Sequence, residues 1–271
     1  MSEASPKSEL GLGPNIHVSS HPVLQHKISI LRSATTPPGT FRSVLRELTY
    51  HLGYEATKDL KTKQVPVTVA VGKESEEEHV DCNGFKLADR VALVPILRSG
   101  LGMSEGMLEL LPKSAVYHIG MYRIPGQSPV QYFNRLPRKC ESDVAIVLDP
   151  VISSSATSTA VIGMLKKWGV RKIHLVSVLA SKEGLSTIQK AHPDVYATVG
   201  MVDEGLTSTG IVLPGLGDVG DRLFGTPITS EGGDNGDNDL VVPAGKRKRS
   251  NSFEVMEAMK KMQDEQGGDG K

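Results

Sequence analysis

The chain has 271 residues, with 31 Lys+Arg against 31 Asp+Glu, 38% hydrophobic and 4% aromatic residues. That charge balance argues against nucleic acid or an anionic membrane as partner. Two cysteines, Cys82 and Cys140, exclude a disulfide framework or a thiolate metal cluster and suit a reducing compartment.

The opening MSEASPKSELGLGPN lacks the apolar core of a signal peptide, and no apolar run approaches a membrane span, so a soluble chain is expected. Residues 1–18 read as a flexible tail. Val23, Leu24, Ile28 and Leu31 outline a helix face capped by Ser19 or Ser20, and Phe41, Val44, Leu45, Leu48 and Leu52 outline a second helix after Pro37-Pro38-Gly39. Alternating Val65, Val67, Val69 and Val71 predict a strand with one buried face, followed by an acidic, solvated loop at 74–78.

From residue 91 the pattern alternates. Strands are expected at 91–97, 115–121, 144–148, 173–179 and 195–202, and helices at 102–111, 158–169 and 184–191. The fold class expected is α/β, an open and mainly parallel sheet with helices on both faces. Residues 19–226 would form this domain, and 227–271 a Gly/Asp-rich and basic extension outside it. Within the extension, Lys246-Arg247-Lys248-Arg249 reads as a solvated basic run or a nuclear localisation signal, and 253–263 as a short helix.

Four segments carry the candidate chemistry. In VAIVLDPVISSSATSTA (144–160), Asp149 ends a strand and a hydroxyl-rich loop leads into a helix. This arrangement can hold a phosphate through backbone N–H groups and the helix dipole, and it also fits an ordinary capped turn. In PILRSGLG (95–102), Arg98 follows a strand, and Gly100 and Gly102 allow close backbone approach. In MYRIPG (121–126), Arg123 opens a loop of roughly ten residues, long enough for a lid or a hairpin. Finally, VLPGLGDVGDR (212–222) contains Gly215, Gly217 and Gly220 in a formal G-x-G-x-x-G. A dinucleotide fingerprint is rejected, because Pro214 precedes it and no βαβ unit follows. Its exposed peptide groups suit the edge of a small planar ring, or an ordinary turn. Together these segments indicate a nucleotide or sugar-phosphate site.

Ordered motifs carry the reading further. His21-Pro22 with His26-Lys27, Tyr54-Glu55-Ala56-Thr57 with Asp59-Leu60, VPILRSGLGM (94–103), GMYR (120–123), PVQYF (129–133) and PGLGDVGDRLFGT (214–226) together resemble the uracil phosphoribosyltransferases. The resemblance implies transfer of the phosphoribosyl group of phosphoribosyl pyrophosphate to uracil, giving UMP and pyrophosphate, with Mg2+ assisting and no metal ligand assigned. It places phosphoribosyl pyrophosphate against Arg98, Arg123, Asp149, Ser153, Ser154, Ser155, Ala156, Thr157 and Asp218, the two arginines on the pyrophosphate side. Uracil would meet Val212, Gly217, Asp218 and Val219, largely through backbone groups, and Asp218 and Arg123 would be catalytic. Relatives commonly dimerise or form larger assemblies, and GTP activates some of them. A cytoplasmic salvage enzyme is expected, with the basic run leaving a nuclear share open.

The family loop usually reads DPMLATGGS, whereas this chain has DPVISSSAT, with Ser155 and Ala156 in place of both glycines. A side chain there is expected to cost about 1–2 kcal/mol of left-handed strain. A second reading therefore stays open: a weakly active or non-catalytic paralogue that senses uracil or a nucleotide.

Overall fold

The computed structural model describes residues 11–71, 79–122 and 128–226. The runs at 74–78, 227–271 and Arg123 with its loop (123–127) lie outside them, and with 227–271 so do the basic run and the helix expected at 253–263.

In chain order the elements are β1 (Ile16–Val18), α1 (Pro22–Arg32), α2 (Pro38–Thr57), β2 (Thr62–Ala70), β3 (His79–Leu87), β4 (Val91–Leu97), α3 (Leu101–Leu110), β5 (Ala115–Val116), β6 (Ile119–Tyr122) and β7 (Val130–Asn134). Then come β8 (Val144–Leu148), β9 (Val151–Ile152), α4 (Ala156–Trp168), β10 (Lys172–Ser181), α5 (Lys182–Ala191), β11 (Tyr196–Asp203), β12 (Gly205–Leu206), β13 (Val212–Leu213) and α6 (Val219–Phe224). The main sheet has the order β1-β11-β10-β8-β4-β6-β7, with β5 beside β4 and β9 beside β10. Its pairings are parallel except β6 with β7.

The unbroken apolar runs of β4 and β8 follow from burial on both faces. Along β8, Ile146 and Leu148 enter one core with Leu24, Ile28, Phe41, Leu45, Met103 and Leu223, from α1, α2, α3 and α6. Ala145 and Val147 enter the other with Val161, Ile162, Leu165, Leu185 and Ile188, from α4 and α5. Strand periodicity of two thus feeds two cores from one strand.

Local signals set most boundaries. Pro22 and Pro38 stand at the starts of α1 and α2, where a missing N–H costs nothing. Gly169 ends α4 at φ 96°, a left-handed cap. The cap expected at Ser19 or Ser20 is instead His21, whose Nδ1 accepts from Val23 N–H at 3.2 Å. Ser19 Oγ is engaged elsewhere, 3.1 Å from both His51 Nε2 and Glu55 Oε1 of α2. The valine strand also differs from expectation. β2 pairs antiparallel with β3 over its whole length, but Val67, Val69 and Val80 remain exposed. The expected strand is present, but its expected buried face is not, since no described element covers its valine side. The strand expected at 115–121 is two strands, β5 and β6, which pair with successive parts of β4.

The connection from β4 runs through α3 to β6 on one side of the sheet, and that from β8 runs through α4 to β10 on the other. The order therefore reverses between β4 and β8. Ligands of open α/β sheets bind in the crevice at such a point, beyond the carboxyl ends of the strands.

Candidate functional site

A cavity of about 530 Å³ opens at this switch point. Arg98 and Ser99 after β4, Asp149, Ser153, Ser155, Thr157 and Ser158 around the start of α4, and Val212, Gly217, Asp218 and Val219 before and within α6 all line it. All four sequence segments, far apart in the chain, thus contribute to one space, the MYRIPG segment through Met121. Ser154 and Ala156 belong to the same turn but are not among the lining residues, and Arg123 is outside the described residues.

The turn after β4 is tight. A Cβ on Gly100 would lie 2.4 Å from Leu148 O and 2.6 Å from Ile96 N, so only glycine lets this turn close against β8. Arg98 is carried at its lip, half exposed, and Nη2 donates to Asp221 Oδ1 at 2.8 Å. The Thr226 hydroxyl and then the Arg98 guanidinium hold the Asp221 carboxyl below its ordinary range. Gly220 gives the arginine its room, since a Cβ there would meet Asp218 Oδ1 at 3.2 Å and Arg98 Nη2 at 3.3 Å.

The phosphate-type loop is built from below. Asp149 is buried and accepts from Ser158 Oγ at 3.2 Å. Ser181 Oγ donates to Ser153 O at 2.6 Å and accepts from Gly184 N–H at 2.8 Å, tying the loop to the start of α5. Ser155 takes φ 65°, and it is the one non-glycine residue with positive φ among those described. Ala156 is already the first residue of α4. The strain expected at both substituted glycines therefore falls on Ser155 alone, because the helix has begun by the next residue. Ser155 Oγ is also buried without a hydrogen-bond partner. The amino end of α4 directs unpaired N–H groups and positive dipole towards the cavity, which suits an anion.

The glycine-dense loop follows a cis Leu213–Pro214 bond. Gly215 at φ 64° and Gly217 at φ 70° need glycine's freedom. Asp218 caps α6, its Oδ1 accepting from Asp221 N–H at 2.9 Å. The peptide groups of Gly217 have no hydrogen-bond partner among the described residues. Sequence reasoning assigned no role to the apolar walls of the cavity, Ile96, Leu97, Met121 and Val151, or to Gly210 and Ile211. The strand-end positions of the walls were a usable signal.

The arrangement combines an arginine, a helix-terminal anion cradle and open peptide edges in one cleft. Its arginine and hydroxyl groups suit phosphates, and its open peptide groups suit the edge of a planar ring. No helix among the described residues is long and apolar enough to cross a membrane.

Comparison with known proteins agrees with this geometry. The family model for uracil phosphoribosyltransferase matches residues 18–226. A uracil phosphoribosyltransferase of Roseiflexus sp. (strain RS-1) is 41% identical over 212 residues, spanning 78% of this chain and 98% of its own length. One from Agathobacter rectalis is 42% identical over 210 residues, spanning 77% of this chain and 97% of its own. Among solved structures, the AQ2163 protein from Aquifex aeolicus is 32% identical, with a TM-score of 0.70 over 77% of this chain and 97% of that one. With most of its length matched by the family model and by relatives aligned nearly end to end, the chain belongs to the uracil phosphoribosyltransferase family.

Proposed function

We infer that the chain transfers the phosphoribosyl group of phosphoribosyl pyrophosphate to uracil, forming UMP and pyrophosphate. The observation that carries the reading is the convergence of Arg98, the 149–158 turn and the Gly217–Asp218–Val219 loop on one cavity at the switch point. In the reaction the bond from the anomeric carbon to pyrophosphate breaks, the N1–carbon bond forms, and the N1 proton is released. The amino end of α4, with Ser153, Ser155 and Thr157, would hold the 5-phosphate, and Arg98 would hold the departing diphosphate, a role the family resemblance also gives to Arg123. Asp218 keeps Oδ2 without a partner among the described residues and is the candidate to receive the proton or hold the ribose.

An assisting Mg2+ is supported by the carboxylates of Asp149 and Asp218, which both line the cavity, because Mg2+ keeps several waters and is held by one or two carboxylates together with substrate phosphates. When bound, Mg2+ would neutralise the diphosphate, with Asp149 as the carboxylate to hold it.

Assembly into a homodimer or larger homo-oligomer is supported by the exposed apolar side of the β2–β3 ribbon. Activation by GTP rests on the family resemblance alone. A cytoplasmic setting is supported by the two free cysteines.

Purified chain incubated with uracil, phosphoribosyl pyrophosphate and Mg2+, with and without GTP, should form UMP detectable by chromatography. Arg98→Ala should lower turnover at least about a hundredfold while melting as the parent does; unchanged turnover removes Arg98 from the site. One observation favours the second reading, a non-catalytic paralogue: Ser155 occupies a glycine-type conformation in the cradle. Retained uracil binding with no UMP would select it.

A further inference from the structure

The glycine-dense loop is not held by its own elements. β12 and β13 contribute only the pairs Gly205↔Leu213 and Leu206↔Val212. Beyond Leu213, its backbone is gripped from outside by groups that do not line the cavity. Asp203, the last residue of β11, is 6% exposed. Its Oδ1 accepts from Arg32 Nη2 at 2.7 Å and its Oδ2 from Arg32 Nη1 at 2.9 Å, a two-pronged pair between β11 and the end of α1.

The same two side chains take both polar groups of one peptide residue. Gly215 N–H donates to Asp203 Oδ2 at 2.9 Å, and Gly215 O accepts from Arg32 Nη1 at 3.0 Å. At the next residue, Leu216 O accepts from Arg222 Nη1 at 2.8 Å. Arg222 also donates to Leu31 O and Ser33 O, closing the grip back onto α1. Two successive carbonyls are thus taken up by these arginines, and Gly217 is left with its N–H and C=O both unused among the described residues. A Cβ on Gly215 would lie 2.1 Å from Val212 O, so the gripped conformation has no slack.

We propose that the Arg32–Asp203 pair is the positioning unit that sets base specificity: by holding Gly215 at both its N–H and its C=O, it presents the Gly217 peptide to the ring without touching the ligand. The inference rests on the uracil reading above. Uracil offers a ring N–H flanked by two carbonyls, whereas cytosine carries an amino group at one of those positions. A peptide held in one orientation distinguishes them, and a peptide free to turn does not.

The test uses the full chain and steady-state kinetics with uracil, cytosine and phosphoribosyl pyrophosphate. Arg32→Lys keeps the charge opposite Asp203 but loses the fork. It should raise KM for uracil about tenfold, the scale of one charged hydrogen bond, and lower the preference for uracil over cytosine by a similar factor. KM for phosphoribosyl pyrophosphate should stay within about twofold, since only the base loop has moved. Asp203→Asn should do the same, and the double variant should be no worse than the worse single, because the residues act as a unit. Both KM values rising together, or an unchanged base preference with a lowered melting temperature, would show a merely structural pair and overturn the proposal. If Asp203→Asn fails to fold, Arg32→Lys decides alone. If the parent binds uracil without turnover, the same ratios are read from dissociation constants by calorimetry. A parent that neither binds nor converts uracil overturns the uracil reading itself, and the inference with it.

Discussion

Ser155 shows how much one side chain can cost at a turn. Its φ of 65° carries about 1–2 kcal/mol of steric penalty for an L-residue. Its buried, unpartnered Oγ adds about 1–3 kcal/mol. Ser155→Gly removes both terms and loses about 0.5–1 kcal/mol to the freer unfolded chain. A net stabilisation of at least about 1 kcal/mol is expected from these terms, read as a higher midpoint in urea with unchanged slope. A lower midpoint would mean the hydroxyl has a partner. Ala156→Gly should act the other way, costing up to about 1 kcal/mol, because residue 156 is already helical. The two positions that align with paired glycines in the family motif therefore have opposite physical demands here.

Elements differ in where their stability comes from. α4 is held by Val161, Ile162 and Leu165 in a core, so its amino end can spare its polar groups for a ligand. The β2–β3 ribbon has the reverse character. Its ladder runs from Thr62↔Leu87 to Ala70↔His79, yet one side presents Val67, Val69 and Val80 to solvent. Isolated two-stranded ribbons are marginal in water, and such an edge is a template for association. Val67→Glu with Val69→Glu should leave the melting of the parallel-sheet domain within about 1 kcal/mol of the parent, as exposed substitutions do, while shifting light-scattering mass towards the monomer. An unchanged mass would place the assembly surface elsewhere, and a parent that is itself monomeric would remove the idea.

At the scale of the molecule, the sheet buries a histidine that no ligand explains. His174 lies on β10 with Nε2 2.9 Å from Thr198 Oγ1 and its ring stacked on Tyr196 at 6.0 Å. Burial pushes its pKa down from 6.5 to about 4; nearby Asp59 opposes this, and Lys172, Lys58 and His17 add to it. Because the folded value lies below the unfolded one, the unfolded chain binds the extra proton. The contribution to stability is complete above about pH 6.5 and is lost as pH falls towards 4. Its size is on the order of 3 kcal/mol. His174→Gln keeps a hydrogen-bonding partner for Thr198 and should flatten the acid limb of stability against pH in that window. An acid limb of unchanged slope would assign it to the carboxylates instead.

Much of this was legible because it is local. Apolar periodicity defines α2 through Phe41, Leu45, Leu48 and Leu52, and β8 through its five buried residues. Gly169 announces the end of α4, and Arg98, Asp149 and Gly217 sit at strand ends and tight turns whose chemistry is written in adjacent residues. Three choices were not local. The cap of α1 went to His21 because α2 brings His51 and Glu55 to the Ser19 hydroxyl. The valine face of β2 stayed bare because sheet order placed no described element over it. Arg32 and Asp203, 171 residues apart, met only because β11 ends beside the end of α1. By itself, the sequence determined the main helix–strand alternation and which residue types the site holds, since dihedral preference and periodicity act over a few residues, whereas residues 16–18, read as part of a tail, are a strand because β11 pairs with them. Tertiary structure alone decided which side chains hold the base loop in place, because that depends on strand order and on contacts between segments that no spacing in the chain encodes.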